Sequence, residues 1–165
     1  MVLRHVLSIL LLPFTVTVVL PVLLLEQDRA QAAVGLRAAG ALVAALGLVP
    51  VFVTIAHFAR KGRGTLAPWD PPRHLVVSGV YRHVRNPMIS GVILILIGES
   101  LFFASTAIAL LAAGFFAINA VLIPLYEERE LTRRFGAEYG EYKRNVPRWV
   151  PRLTVWRGGT RPPPA

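Results

Sequence analysis

The sequence predicts an all-α integral membrane protein of about four transmembrane helices, the third and fourth forming a tight hairpin, followed by an amphipathic cytosolic helix near the C-terminus. Three observations predict it. Of 165 residues, 55% are hydrophobic, more than an ordinary soluble domain carries. The apolar residues collect into runs near the roughly 20 helical residues that cross ~30 Å of hydrocarbon. The 18 Lys and Arg, which with 9 Asp and Glu give a net charge of +9, all fall outside those runs.

The first run, 6–25, carries no formal charge. It is longer than the ~7–15-residue core of a signal peptide, and Leu23-Leu24-Leu25-Glu26 lacks a small-residue cleavage pattern, so it is expected to span. The second, 38–59, is rich in Ala and Leu and holds Gly40, Gly47 and Pro50, residues that let membrane helices pack closely and kink. The third and fourth, 88–104 and 107–125, are separated only by Ser105-Thr106. So short a link permits only a hairpin, which brings residues 85–87 and 126–128 together.

Charge sets the orientation. One basic residue precedes the first run, two lie in 26–37, six in 60–85 and nine in 126–165. Two acidic residues neutralise 26–37, whereas 60–85 is strongly positive. By the positive-inside rule, the N-terminus, 60–85 and the C-terminal segment face the cytoplasm. The expected location is a multi-pass position in a bacterial inner membrane.

The segment 60–85 opens with Gly62, Gly64, Pro68, Pro71 and Pro72, an irregular loop. Residues 75–81 then read as a short extended piece turning at Gly79. Beyond Leu125, Leu131, Phe135, Tyr139 and Tyr142 recur at helical spacing and form one apolar stripe. Pro147 and Pro151 end that helix, and 157–165 reads as a loose tail. Residues 1–156 form a single domain.

Three features exceed what a plain bundle requires. Tyr81-Arg82-His83-Val84-Arg85-Asn86-Pro87 lies at the start of a membrane helix, where free N–H groups and the positive dipole end suit a carboxylate or phosphate. Ordinary helix initiation by Pro and snorkelling Arg explain the same residues. Glu127 and Glu128 directly follow an apolar helix; one carboxylate can face the pocket beneath the hairpin, or both can be solvated, with pairs such as Glu130 to Arg134. Glu99 is a charge inside an apolar run, with Asn119 or His57 as candidate partners, and reads as structural or substrate-lining. There are no cysteines, no paired-His metal motif, no phosphate-binding glycine loop and no nucleophile elbow. No metal site is expected, and nucleic acid is discounted because topology accounts for the basic charge.

Residues 66–151 resemble the membrane methyltransferases typified by isoprenylcysteine carboxyl methyltransferase and related to phospholipid N-methyltransferases. The resemblance rests on Ser78-Gly79-Val80-Tyr81, on Arg85-Asn86-Pro87, on Glu127-Glu128-x-x-Leu131-x-x-x-Phe135-Gly136-x-x-Tyr139-x-x-Tyr142, and on Val146-Pro147-x-x-x-Pro151. It implies a cytosol-facing pocket for S-adenosylmethionine, which leaves as S-adenosylhomocysteine. His74, Leu75, Val76, Gly79 and Tyr81 would line the cofactor, Arg85, Asn86, Pro87 and Met88 would wall it, and Glu127 and Glu128 would hold it. Arg85, Asn86 and Glu127 are the catalytic candidates; Glu99, Asn119 and Ile123 are the substrate-lining ones. The acceptor implied is a membrane lipid or lipidated small molecule. Family members commonly have His where this chain has Asn86, and Tyr where it has Ile89. Ile123 stands where the prenylcysteine enzymes place an Arg for the substrate carboxylate. Two other readings remain: a non-catalytic scaffold or lipid-binding protein, favoured by those three departures, and a small transporter, prompted by Glu99 and Asn119.

Overall fold

The computed structural model describes residues 13–25, 32–61, 75 and 77–158. His74, Val76 and the beginning of the first apolar run lie outside them. The described residues are helical with no strand. In chain order they form α1 (Thr15–Leu25), α2 (Val34–Lys61), a 3-10 turn (Gly79–Arg82), α3 (Pro87–Phe103), α4 (Thr106–Leu122) and α5 (Glu128–Asn145). Val34–His57 and Thr106–Asn145 are long and apolar enough to cross a membrane, while Thr15–Leu25 and Pro87–Phe103 are shorter apolar helices.

Two glycine pairs bring α2 and α3 into backbone contact. A Cβ on Gly47 would lie 2.7 Å from the Gly91 carbonyl and 2.8 Å from the Ile95 nitrogen; one on Gly40 would lie 2.6 Å from the Gly98 carbonyl. The order Gly40 to Gly98 and Gly47 to Gly91 makes the helices antiparallel. Both pairs are seven residues apart along their own helix, two turns, so they share a face. The expectation drawn from Gly40 and Gly47 holds, and Gly91 and Gly98 are their partners. Leu25, Val51, Val92, Ile95, Leu96, Ile108 and Ala112 complete a core contributed by all four apolar helices.

The hairpin forms as its two-residue link requires. Ala104 adopts a left-handed conformation (φ 48°), and the Ser105 N–H donates to the Ser100 carbonyl at 3.0 Å. The Ser105 hydroxyl then caps α4 by accepting the Ile108 N–H at 3.2 Å.

Two wide helical turns each neighbour a proline. Thr15–Val19 is a π turn before Pro21, and Ile123–Glu127 is a π turn containing Pro124. A proline withholds the N–H that an α-helix would use, and the register slips from i−4 to i−5: the Glu128 N–H donates to the Ile123 carbonyl. The second slip joins α4 to α5 and rotates every side chain after it.

In α5 the expected stripe is present. Tyr139, Tyr142, Val146 and Trp156 form a second core, with Leu75, Val77, Leu131 and Phe135 packed against it. The helix kinks at Gly136 (φ 52°, ψ −124°), a conformation open essentially to glycine alone. Glu130 pairs with Arg133 at 2.8 Å, and the Arg134 guanidinium lies over the Phe135 ring. The chain turns at Gly79 (φ 59°) as expected, but the extended piece ends at Ser78 (φ −150°, ψ 154°) and residues 80–81 lie in a 3-10 turn instead.

Candidate functional site

The site is assembled from four parts of the chain. Gly79 lies so close to α2 that a Cβ there would be 3.0 Å from His57 Nδ1. This close approach seats the turn on the end of α2, with 3.1 Å between Ser78 Oγ and His57 Nε2 and 5.9 Å between the His57 and Tyr81 rings. The Tyr81 carbonyl accepts from the Tyr142 hydroxyl at 2.8 Å, tying the turn to α5. Tyr81 lies near Thr54, a wholly buried α2 residue.

Past the turn, the chain pairs with a strap running from 146 to 156. The Arg85 N–H donates to the Pro147 carbonyl at 2.9 Å and the Asn86 N–H to the Arg148 carbonyl at 3.2 Å; the Arg152 and Trp156 N–H groups donate back to His83 and Arg82. Ser90 Oγ donates to the Trp149 carbonyl at 2.9 Å. These bonds hold the start of α3 in place. Pro87 occupies its first position, and Asn86 makes no side-chain cap bond, so the first-turn amides are left to other acceptors.

Glu128 is the electrostatic centre. Its side chain is 3% exposed and meets three cations: Arg85 at 2.6 Å, Arg148 at 2.8 Å and Lys143 at 2.7 Å. Arg85 also reaches the Tyr139 hydroxyl at 3.4 Å. Burial works against the Glu128 charge, but the Lys143 hydrogen bond with Arg85 and Arg148 outweighs it and lowers the carboxyl below its usual range. One carboxylate among three cations leaves the cluster positive. Arg85 Nε is buried with no acceptor among the described residues.

Glu127, its neighbour, has a different environment. It lies on the exposed side of the helix, next to Glu128 and near Arg85. Burial pushes its carboxyl up, Glu128 adds to the rise, and Arg85 opposes it. Tyr81 is raised by burial and then by Glu127, Tyr142 chiefly by burial, and Tyr139 is pushed up to about 12 by burial and Glu128. All three phenols stay protonated near neutral pH; the Tyr142 hydroxyl donates to the Tyr81 carbonyl, while the Tyr139 hydroxyl accepts from Arg85.

The fold thus gathers Gly79, Tyr81, Arg85, Asn86, Pro87, Glu127 and Glu128 of the expected residues. Leu75 packs on the second core and Met88 on the first. Glu99 lies twelve residues along α3 from Pro87, roughly 18 Å at 1.5 Å per residue. Its Oε2 has no hydrogen-bond partner among the described residues. The Asn119 amide is used on its own helix, donating to the Phe115 carbonyl at 2.8 Å, and Ile123 is buried in the π turn. Thr54, Lys143 and Arg148 belong to the cluster but were missed from sequence, where only Arg148 had a signal, its place inside the Pro147–Pro151 motif; His57, considered there only as a partner for Glu99, meets Ser78 and Tyr81.

The fold and the cluster define a helical membrane protein with a buried charged centre where the open end of the hairpin meets the following helix. Residues 36–138 match the phospholipid methyltransferase family, and the chain belongs to that family of membrane methyltransferases. It is also similar to Methanethiol S-methyltransferase 2 of Bradyrhizobium diazoefficiens, 37% identical over 81 residues. That match covers 47% of this chain and 29% of the relative, so the chain spans under a third of the relative's length.

Proposed function

We propose that this chain transfers a methyl group from S-adenosylmethionine to a lipophilic acceptor held in the membrane, at a site facing the cytoplasm. Four crossings, with both termini and the 60–85 segment inside, satisfy the distribution of Lys and Arg. The observation that carries the reading is the convergence of Arg85, at the opening of α3, with Glu127 and Glu128 at the start of α5. The cofactor's groups fit the residues present. Its carboxylate suits the unused Arg85 Nε and the uncapped first-turn amides of α3, and its hydroxyls or amine suit Glu127.

The cofactor, when bound, supplies a methyl on a positively charged sulfur, open to in-line displacement. This chain's residues orient and enclose: Arg85 and Glu127 fix the polar end, while the apolar faces of α2 and α4 admit the acceptor from the bilayer and exclude water. Asn86 cannot titrate near neutral pH, so it is assigned a hydrogen-bonding role rather than proton transfer. With Ile123 in place of an Arg, a prenylcysteine carboxylate is disfavoured. The relative's name favours a second acceptor class, a small thiol, which needs no carboxylate partner.

Calorimetry of the detergent-purified chain with S-adenosylmethionine tests the cofactor assignment. Binding is expected, with Glu127→Gln weakening it about tenfold, as one lost charge-assisted hydrogen bond predicts. Absence of binding to the folded wild-type chain would leave the non-catalytic scaffold reading. Mass spectrometry of lipid extract and headspace gas after incubation with methyl-labelled cofactor separates a lipid acceptor from a volatile thiol.

A further inference from the structure

The strap and the two residues after it, 146–158, contain Arg148, Arg152 and Arg157, no acidic residue, and six large apolar side chains. Val146 and Trp156 point into the second core. Val150 and Leu153 do not: they are 73% and 99% exposed, although the backbone around them is pinned to Arg82 and His83. An ordered loop that presents a whole leucine and a valine outward is built to meet an apolar phase.

Its position says which phase. Trp149 bonds through its carbonyl to Ser90 in the first turn of α3, and its ring lies 5.6 Å from Phe116 of α4. Phe116 is six residues inside the end of α4, roughly 9 Å at the helical rise, and is itself partly exposed on the apolar surface. The strap therefore reaches down beside the apolar helices rather than standing off from them. Arg148 is committed to Glu128, and Arg152 to the Asn145 carbonyl and Thr154. Arg157 is exposed at the far end.

We propose that this strap docks into the headgroup–acyl boundary of an anionic phospholipid leaflet, with Val150 and Leu153 entering the acyl region and Arg157 meeting lipid phosphates. Cations flanking aliphatic and aromatic side chains, without acids, are the composition that interface selects. Docking braces the site from outside, because the same strap offers the carbonyls that hold Arg85 and Asn86 and carries Arg148 to Glu128. The inference rests on the membrane-spanning reading and is independent of methyl transfer.

The chain has no cysteine, so single Val150→Cys and Leu153→Cys variants can each carry one nitroxide without background. In vesicles of phosphatidylethanolamine and phosphatidylglycerol, oxygen is expected to collide with both labels more often than a water-soluble nickel chelate does. An Arg133→Cys label on the exposed face of α5 should show the reverse. Nickel accessibility at 150 and 153 matching that at 133, in protein that resists alkaline extraction, would overturn the docking and leave the spanning reading standing. Release of the chain itself by alkali would overturn both.

Discussion

Arg85 Nη1 and Glu128 Oε1 lie 2.6 Å apart, joining the opening of α3 to the first residue of α5 across 43 positions of sequence. Both side chains are nearly closed to solvent, at 10% and 3% exposure. Removing one partner of such a pair leaves the other charge buried and unsatisfied. Glu128→Ala strands Arg85 and, more weakly because they are better solvated, Arg148 and Lys143. A loss of about 3 kcal/mol is expected, the low end for breaking a buried pair. Thermal unfolding in detergent measures it, and the neighbouring, solvent-open Glu127→Ala should shift the midpoint far less.

The same carboxylate makes stability depend on pH. Its pKa is lower in the folded chain than in the unfolded one, so the unfolded state takes up its proton first as pH falls. The contribution of Glu128 is thus fully present above its ordinary pKa of about 4.3 and is lost as pH drops through the folded value. An unfolding midpoint that declines below about pH 4 in wild type and more gently in Glu128→Gln is the expected pattern. Parallel profiles for the two proteins would contradict it.

Glycines along α2 and α4 should divide sharply. A Cβ at Gly47 meets backbone and side-chain atoms of α3 closer than 3.0 Å, whereas one at Gly114 meets nothing within 4 Å. Gly47→Ala is expected to cost about 1–3 kcal/mol by forcing the helices apart. Gly114→Ala should stabilise by up to about 1 kcal/mol through helix propensity. Guanidinium or SDS titration of the two variants checks the sign of each.

At Gly136 the obstacle is conformational, since a Cβ would have open space around it. Its φ of 52° with ψ of −124° lies where an L side chain is strained, and Gly136→Ala is expected to cost about 1–3 kcal/mol. Gly140→Ala, with only Arg144 Nη1 at 3.7 Å, is the matched control in the same helix and should be neutral or stabilising. Equal effects at the two positions would show that the kink is not required.

Much of the architecture was legible because it follows from local pattern. A two-residue link, expected at Ser105-Thr106 and formed by Ala104-Ser105, leaves no geometry except a hairpin, and the hairpin brings 85–87 to 126–128 whatever the remaining helices do. The apolar stripe from Leu131 to Tyr142 is a property of spacing and survives the kink at Gly136. The pairing of Glu130 with Arg133 at i,i+3 depends on rotamer choice, which spacing cannot make.

Composition, run length and charge placement by themselves pointed to a helical membrane protein, and its motifs named the residues of a candidate site. Only the tertiary structure decided which of the two adjacent glutamates is the buried hub. That choice depends on helical phase: Pro124 widens one turn, the register slips by a residue, and Glu128 is the one turned onto Arg85, leaving Glu127 on the open side. Arg148 joins it because the strap folds back along 82–86 through backbone hydrogen bonds, which carry no residue-type signature for a sequence to display, and Lys143 reaches it from the far side of the break at Gly136 within α5.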